Sequence, residues 1–463
     1  MRSAILLFFP AYVAVVLGVG LLARRRMKGL EDFFLASRAL PGPLIAVSLT
    51  ASWFGASSIL VTTDEALRTG TSAIWLVGLP AVAAVLLIRS LVRPLRRLSI
   101  LTLPDLAEER YGRVVRHLTA SVILWSMILL AASQMVALGD FLRTFLKLSF
   151  VEGLALGTGV VLVYSLAGGL RSVVATDIIQ CALLAAALVW LVLHLAGSQP
   201  TASFAAAHPG RFALLGDSGI FHDFGRNGLI FLSFVLGWTI SPIALQRVQA
   251  AKSETAARRG LSATAAILFI LYGLVVLAGI LSRPFFDGPP GQTLIPVLIR
   301  DRLGLWLGGF LFMAVLAAVM STLDTALNAG ALSLTRDVLD RVRPGRSDRA
   351  VARSRLATVA VAVLAFGVAT RFQSILKTLG LAAEILAEGF FVPGLAMILS
   401  PKRRPWAGLL SLGLGGGFAV LSFLASSRLV PLRIPVWPAS IPWGVGLGVL
   451  GFALGVLIER RKS

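Results

Sequence analysis

The chain is poor in the residues that build soluble surfaces and reactive centres. Of its 463 residues only 14% are charged, where a water-soluble domain carries roughly 25%. Cys181 is its single cysteine, which excludes a disulfide within the chain and any cysteine-based metal cluster. The four histidines, His117, His194, His208 and His222, are far apart and lack ligand spacing, so they read as loop or helix-end residues. No nucleophile, acid–base pair or metal set stands at usable spacing, which argues against an enzyme. No Pro-rich linker or long polar insert breaks the chain, so residues 1–463 read as one integral domain.

What is present is hydrocarbon. Hydrophobic residues make up 57% of the chain, with mean hydropathy +0.86. Apolar runs near the ~20 residues that cross a bilayer as a helix recur at 4–23, 43–67, 72–95, 117–143, 150–168, 173–197, 226–246, 261–282, 304–335, 355–371, 375–399, 405–426 and 440–458. They predict an all-α polytopic membrane protein with about 13 transmembrane helices. The first run is too long for a signal-peptide core and its charge cluster follows it, so it reads as a retained span.

The net charge of +21 is topology rather than a nucleic-acid footprint. With the amino terminus outside, 30 of the 43 Lys and Arg residues fall in the inner set, at 24–38, 89–116, 171, 247–259, 336–355, 402–404 and 460–462. That asymmetry follows the positive-inside rule, with the carboxy terminus in the cytoplasm. The expected location is the plasma membrane, the bilayer and a small-molecule solute are the expected partners, and no feature sets an oligomeric state.

Residues 43–197 hold five spans and 226–400 hold five more. An odd number in each unit gives the two opposite topologies, the plan of inverted-repeat carriers with broken first helices. Residues 1–30 form an extra amino-terminal helix and 405–458 two carboxy-terminal ones. Both first helices carry interruptions, Thr50-Ala-Ser-Trp-Phe-Gly-Ala-Ser-Ser58 and Gly237-Trp-Thr-Ile-Ser-Pro242. The stretch 310–337, FLFMAVLAAVMSTLDTALNAGALSLTRD, is apolar and then abruptly polar. Ala318, Ser321, Thr322 and Thr325 share one helical face. Hydroxyls at membrane depth serve either as interhelical glue or as part of a site.

Five segments, in order, resemble the sodium/solute symporter family. EDFFLASRAL (31–40), leading through LPGPLIAVSLTASWFGAS to DEALRTG, resembles its entry and first core helix. LTLPDLAEERYG (101–112), AGGLRSVVATDIIQ (167–180), ALQRVQAAKSETAARRG (244–260) and the 310–337 stretch resemble later landmarks. The resemblance implies a leucine-transporter-type inverted-repeat fold and sodium-coupled uptake by alternating access. It also implies a sodium site formed by the carbonyls of Ala51, Phe54 and Ala318 and the hydroxyls of Ser321 and Thr322. Sodium is then the coupling ion, with no organic cofactor. The chemistry is sound, because an unwound helix frees carbonyls for a hard cation.

Asp177 is implied in the ion's inward path, with helix capping at the start of a helix as the other reading. Arg171 reads as a topology anchor. Trp53 stands where some family members carry an acidic or amide side chain, so it has no anionic oxygen to offer. Trp53 and Trp238 are candidate pocket walls, with Ser57, Ser58 and Ser241 as polar substrate contacts. Glu384 and Glu388 lie at i, i+4 in the tenth core helix. They fit a cationic substrate, a proton or second-ion site, pairing with Lys377, or a position in an outer aqueous vestibule. Gln134 and Asp140 are weaker candidates, Asp140 near the outer surface with Arg143. Proton coupling, or a sensor or channel on the same scaffold, are the alternatives to sodium symport.

Overall fold

The computed structural model describes residues 2–24, 38–98, 102–197, 203, 207–213, 224–286, 293–339, 350–427 and 430–462. Most of the 31–40 motif, His222 and the Arg171 side chain lie outside what is described. The described residues are helical, and their only extended pairing is a bridge between Leu40 and Ala251. Among them nine helices are long and apolar enough to cross a membrane, or ten if a bent pair at 375–399 is one span.

Helix α1 (Arg2–Arg24) packs against the long helix Phe150–Ala196. Helix α2 (Gly42–Trp53) begins with prolines, which cost nothing in a first turn. It stops at Trp53 because Phe54 leaves helical geometry, at φ −94° and ψ 71°. The chain resumes in a wide turn over Ser57–Val61 and α3 (Thr62–Thr69). Helices α4 (Gly78–Arg97), α5 (Leu103–Tyr111) and α6 (Arg113–Leu146) follow. Thr102 and Asp105 cap α5 reciprocally, which stops the chain from fraying at this turn.

Helix α7 (Phe150–Ala196) runs 47 residues, about 70 Å at 1.5 Å per residue. That is more than twice a hydrocarbon core, and its apolar content divides into Phe150–Leu166 and Ser172–Ala196. Asp177 therefore sits inside a helix, so its expected role as a helix-start cap is lost.

A second break follows. Helix α8 (Phe224–Thr239) ends before Ile240 and Ser241, and Pro242 opens the half-helix α9 (Pro242–Ala250). Helices α10 (Glu254–Leu281), α11 (Leu305–Leu332) and α12 (Ala350–Arg371) come next. Helix α13 (Ile375–Gly389) bends by 54° into α14 (Phe391–Leu399). Helices α15 (Pro405–Ser426) and α16 (Ile441–Lys462) pack closely on each other and on α13.

Two arginines counted as surface anchors of topology, Arg116 and Arg247, are among the largest fully buried side chains. Arg116 donates to Asp105 Oδ1 at 2.8 Å, Glu108 Oε2 at 2.7 Å and Asp337 Oδ1 at 3.3 Å. Thr102 Oγ1 donates to the same Asp337 oxygen at 2.7 Å. A buried charge is tolerated only when it is paired and hydrogen-bonded, so this cluster locks α5, α6 and the end of the α11 segment together. Arg116→Ala strands Asp337, which is 1% exposed, at a cost of about 3–5 kcal/mol. The expected result is a clearly lowered thermal midpoint in detergent, part of it recovered when Asp337→Asn is added. Equal midpoints for wild type and Arg116→Ala would remove the pairing from the account of stability.

Candidate functional site

The site grows from the break after α2. The helical ladder ends where Phe54 N–H donates to Thr50 O at 2.9 Å. The next free donor, Ala56 N–H, is taken by Gln134 Oε1 of α6 at 2.9 Å, so an α6 side chain substitutes for a helical carbonyl. Ser58 Oγ is spent on Tyr272 Oη at 2.7 Å. A Cβ on Gly55 would stand 2.6 Å from both Gln134 Oε1 and Thr322 Oγ1. Only glycine lets α6 and α11 approach the break this closely.

Opposite the break, α11 presents the predicted stripe. Thr322 Oγ1 lies 3.5 Å from Ala51 O and donates to Ala318 O at 3.2 Å. Ser321 Oγ donates to Asp177 Oδ1 at 2.5 Å, while Asp177 Oδ2 accepts from Ser48 Oγ at 2.7 Å. Asp177 thus joins α2, α7 and α11 within the core. Of the five proposed sodium ligands, Ala51, Ala318 and Thr322 converge directly. Ser321 is the adjacent residue, and Phe54 occupies the break itself. A hydroxyl that gives its proton to a carboxylate keeps its lone pairs for a cation. Every group here offers oxygen, which fits a hard monovalent ion.

A polar layer underlies this set. Arg247 is fully buried and donates to Ser52 Oγ at 3.0 Å, Thr325 Oγ1 at 3.2 Å, Ser48 Oγ at 3.4 Å and Gln246 Oε1 at 3.0 Å. Gln246 Nε2 reaches Asn328 Oδ1 at 3.3 Å. Asp177 and Asp324 are the acidic residues nearest in effect to the guanidinium, though neither is bonded to it directly. Sequence reasoning missed Arg247 as a site residue. The signal was its place five residues after Pro242, in a half-helix of nine residues too short to carry it to water.

A cleft of about 560 Å³ opens at the break, with Trp53, Ser57, Gln134, Trp238, Ser241 and Thr322 among its walls. The rings of Trp53 and Trp238 are 5.9 Å apart, and Phe234 stacks behind Trp238 at 4.5 Å. A second cleft of about 480 Å³ lies on the other side of the polar layer, reaching Thr102, Gln246, Gln249 and Asp337.

Three expectations change. Ser58 does not line the first cleft, because Tyr272 holds its hydroxyl. Glu384 and Glu388 do not line it either, and at 1% and 0% exposure they face no aqueous vestibule. Glu384 Oε1 instead accepts from Ser422 Oγ at 2.6 Å and from Ser440 Oγ, on the side of α15 and α16. Lys377 pairs with neither glutamate, since its Nζ donates to Ser426 O at 3.3 Å. Asp140 forms an ion pair with Arg143 at 2.8 Å, away from the cleft.

The model of the "Sodium:solute symporter family" matches residues 33–404. The chain is 26% identical to a sodium/glucose cotransporter of Vibrio parahaemolyticus, over 93% of this chain and 86% of that one. It is 27% identical to the sodium/pantothenate symporter of Escherichia coli, over 92% of each. A solved Na+-coupled sialic acid symporter superposes with a TM-score of 0.80 at 18% identity, covering 98% of this chain and 97% of that one. The chain therefore belongs to the sodium:solute symporter family, membrane carriers that couple solute movement to sodium and are not enzymes.

Proposed function

We propose that the chain takes up a small organic solute with sodium by alternating access across the plasma membrane, with its amino terminus outside and carboxy terminus in the cytoplasm. The observation that carries this is the meeting of Ala51 O and Ala318 O at the Thr322 hydroxyl, where α2 is broken. In this reading sodium is held by Ala51, Phe54, Ala318, Ser321 and Thr322, and Asp177 orients Ser321 and receives the ion on its way inward. A cation there ties α2 to α11. By linkage, solute and sodium then strengthen each other's binding.

The solute lies in the first cleft against Trp53 and Trp238, with Ser57, Ser241 and Gln134 fixing its orientation. Among the described residues no charged side chain lines that cleft, which favours an uncharged or zwitterionic solute and withdraws the cationic substrate that the two glutamates had suggested. The Arg247 layer closes the path to the second cleft and opens when the solute is released inward. The two breaks, each in the first helix of its five-span unit, support the inverted-repeat plan. Reading α7 as two spans and each broken pair as one gives about thirteen crossings.

In proteoliposomes, an inward sodium gradient should concentrate the solute where a potassium gradient does not. Ser321→Ala and Thr322→Ala should each weaken the sodium dependence about 10- to 100-fold, the worth of one contact to a charge. Unchanged sodium dependence in both variants would sink the ligand set. Uptake driven equally by a proton gradient without sodium would replace the coupling ion.

Gly55→Ala places a methyl group within 2.6 Å of Gln134 and Thr322. The expected outcome is a protein that still inserts and purifies but has lost most gradient-driven uptake. Full uptake by this variant would show that the break is wider in the working state than the geometry allows.

A further inference from the structure

Glu384 and Glu388 take no part in the cleft or the sodium set, yet they are the most costly residues on α13 to bury. Both stand on one helical face and are 1% and 0% exposed. Ser422 of α15 and Ser440, just before α16, both donate to Glu384 Oε1. Each hydroxyl has a single proton to give, and neither carboxylate oxygen of Glu388 meets a donor in good hydrogen-bond geometry, although Ser440 stands beside it. Glu388 lies directly against α16, where a Cβ on Gly444 would come within 2.2 Å of its Oε2. An unpartnered carboxyl at this depth either holds a proton or awaits a positive charge from outside the protein.

Among the described residues no cationic side chain meets its charge. Helices α14 and α15 contain no titratable residue. Those of α16 are Glu459, Arg460, Arg461 and Lys462 at its far end, where Glu459 caps α15 through Trp406 N–H at 2.7 Å. On α6, Arg113, Arg116 and His117 stand at the start and Asp140 and Arg143 near the finish, with Arg116 committed to Asp105, Glu108 and Asp337. Arg226 stands at the start of α8. On α13 itself Lys377 is turned to Ser426 O and the Phe372 ring. The nearest charge to Glu388 is Glu384, of the same sign.

We propose that Glu384, Glu388, Ser422 and Ser440 form a second site for a monovalent cation, separate from the helix break and clamping α13 to the α15–α16 pair. Its oxygens, two carboxylates and two hydroxyls, suit a hard ion, and a single positive charge relieves the repulsion between glutamates one turn apart. Ser422 and Ser440 lie beyond residue 404, where the match to the family model ends. The site is thus built partly from this chain's own carboxy-terminal helices. It does not depend on the sodium assignment at Ser321 and Thr322.

The test is thermal stability of the purified full-length protein, titrated with NaCl and with KCl against choline chloride at constant ionic strength and pH. In a Ser321→Ala, Thr322→Ala background, a saturable rise in midpoint with sodium or potassium is expected to persist and to vanish on adding Glu388→Gln. Ser440→Ala, a smaller change that guards against misfolding of the glutamine variant, should raise the half-saturating cation concentration about tenfold. A rise that neither variant alters, or no rise in that background, overturns the proposal. So does a midpoint that follows pH alone, which would mean that the pair holds a proton. Sodium-driven uptake that survives Ser321→Ala and Thr322→Ala would count against the helix-break site only, because the Glu388 response is read separately.

Discussion

The constraint on which everything else rests is the break at residues 54–56. A backbone released from its ladder inside a bilayer must find partners within the protein. Gln134 supplies the acceptor for Ala56 N–H, and Gly55 lets Thr322 come close enough to reach Ala51 O. These contacts fix α6 and α11 against α2. They also leave the Ala51 carbonyl facing a threonine hydroxyl where the helical ladder ends. The oxygens that stabilise the break are therefore the oxygens an ion would use. At the second break, Pro242 needs no hydrogen-bond acceptor, which is how α9 begins so close to the end of α8.

Buried charge organises the interior in two places. The Arg116 cluster is a rigid clasp, with three carboxylates around one guanidinium. The Arg247 layer differs, because hydroxyls and amides rather than carboxylates contact the guanidinium directly. Each such hydrogen bond from a charged group contributes about 1.5–3 kcal/mol net, so the layer between the two clefts is held by several separate increments. That kind of barrier can be exchanged for water or solute contacts piecewise, whereas a packed apolar plug would have to open at once. The aromatic pair Trp53 and Trp238, one from each broken helix, lines the first cleft, so movement of either helix changes its walls.

Much of this was legible from residue order. Ser321 and Thr322 declared themselves because two hydroxyls on one face of an apolar helix are expensive. Both helix breaks were visible as Gly, Ser and Pro at matching places. Arg247 was not, because a charge near a predicted loop reads as a cytoplasmic anchor until the length of α9 is known. Asp177 was read either in the ion's inward path or as a cap at a helix start, and the capping alternative fell because the helix runs unbroken through it, which periodicity alone does not show. Glu384 and Glu388 were recognised as anomalous, but their direction was misjudged. The hydrophobic pattern of α13 is apolar around most of its circumference and does not say which face meets the cleft and which meets α15.

The sequence by itself determined the membrane-spanning helical class and the identity of the unusual polar residues. Those follow from local free energies, chiefly the transfer of each segment into hydrocarbon. Only the tertiary structure decided which polar residues meet. Asp177 finds Ser48 and Ser321 across more than a hundred residues of chain, and Glu384 turns from the cleft to Ser422. In a medium without water a buried polar group must pair with whatever folding brings to it, and that choice is made between helices, not within them.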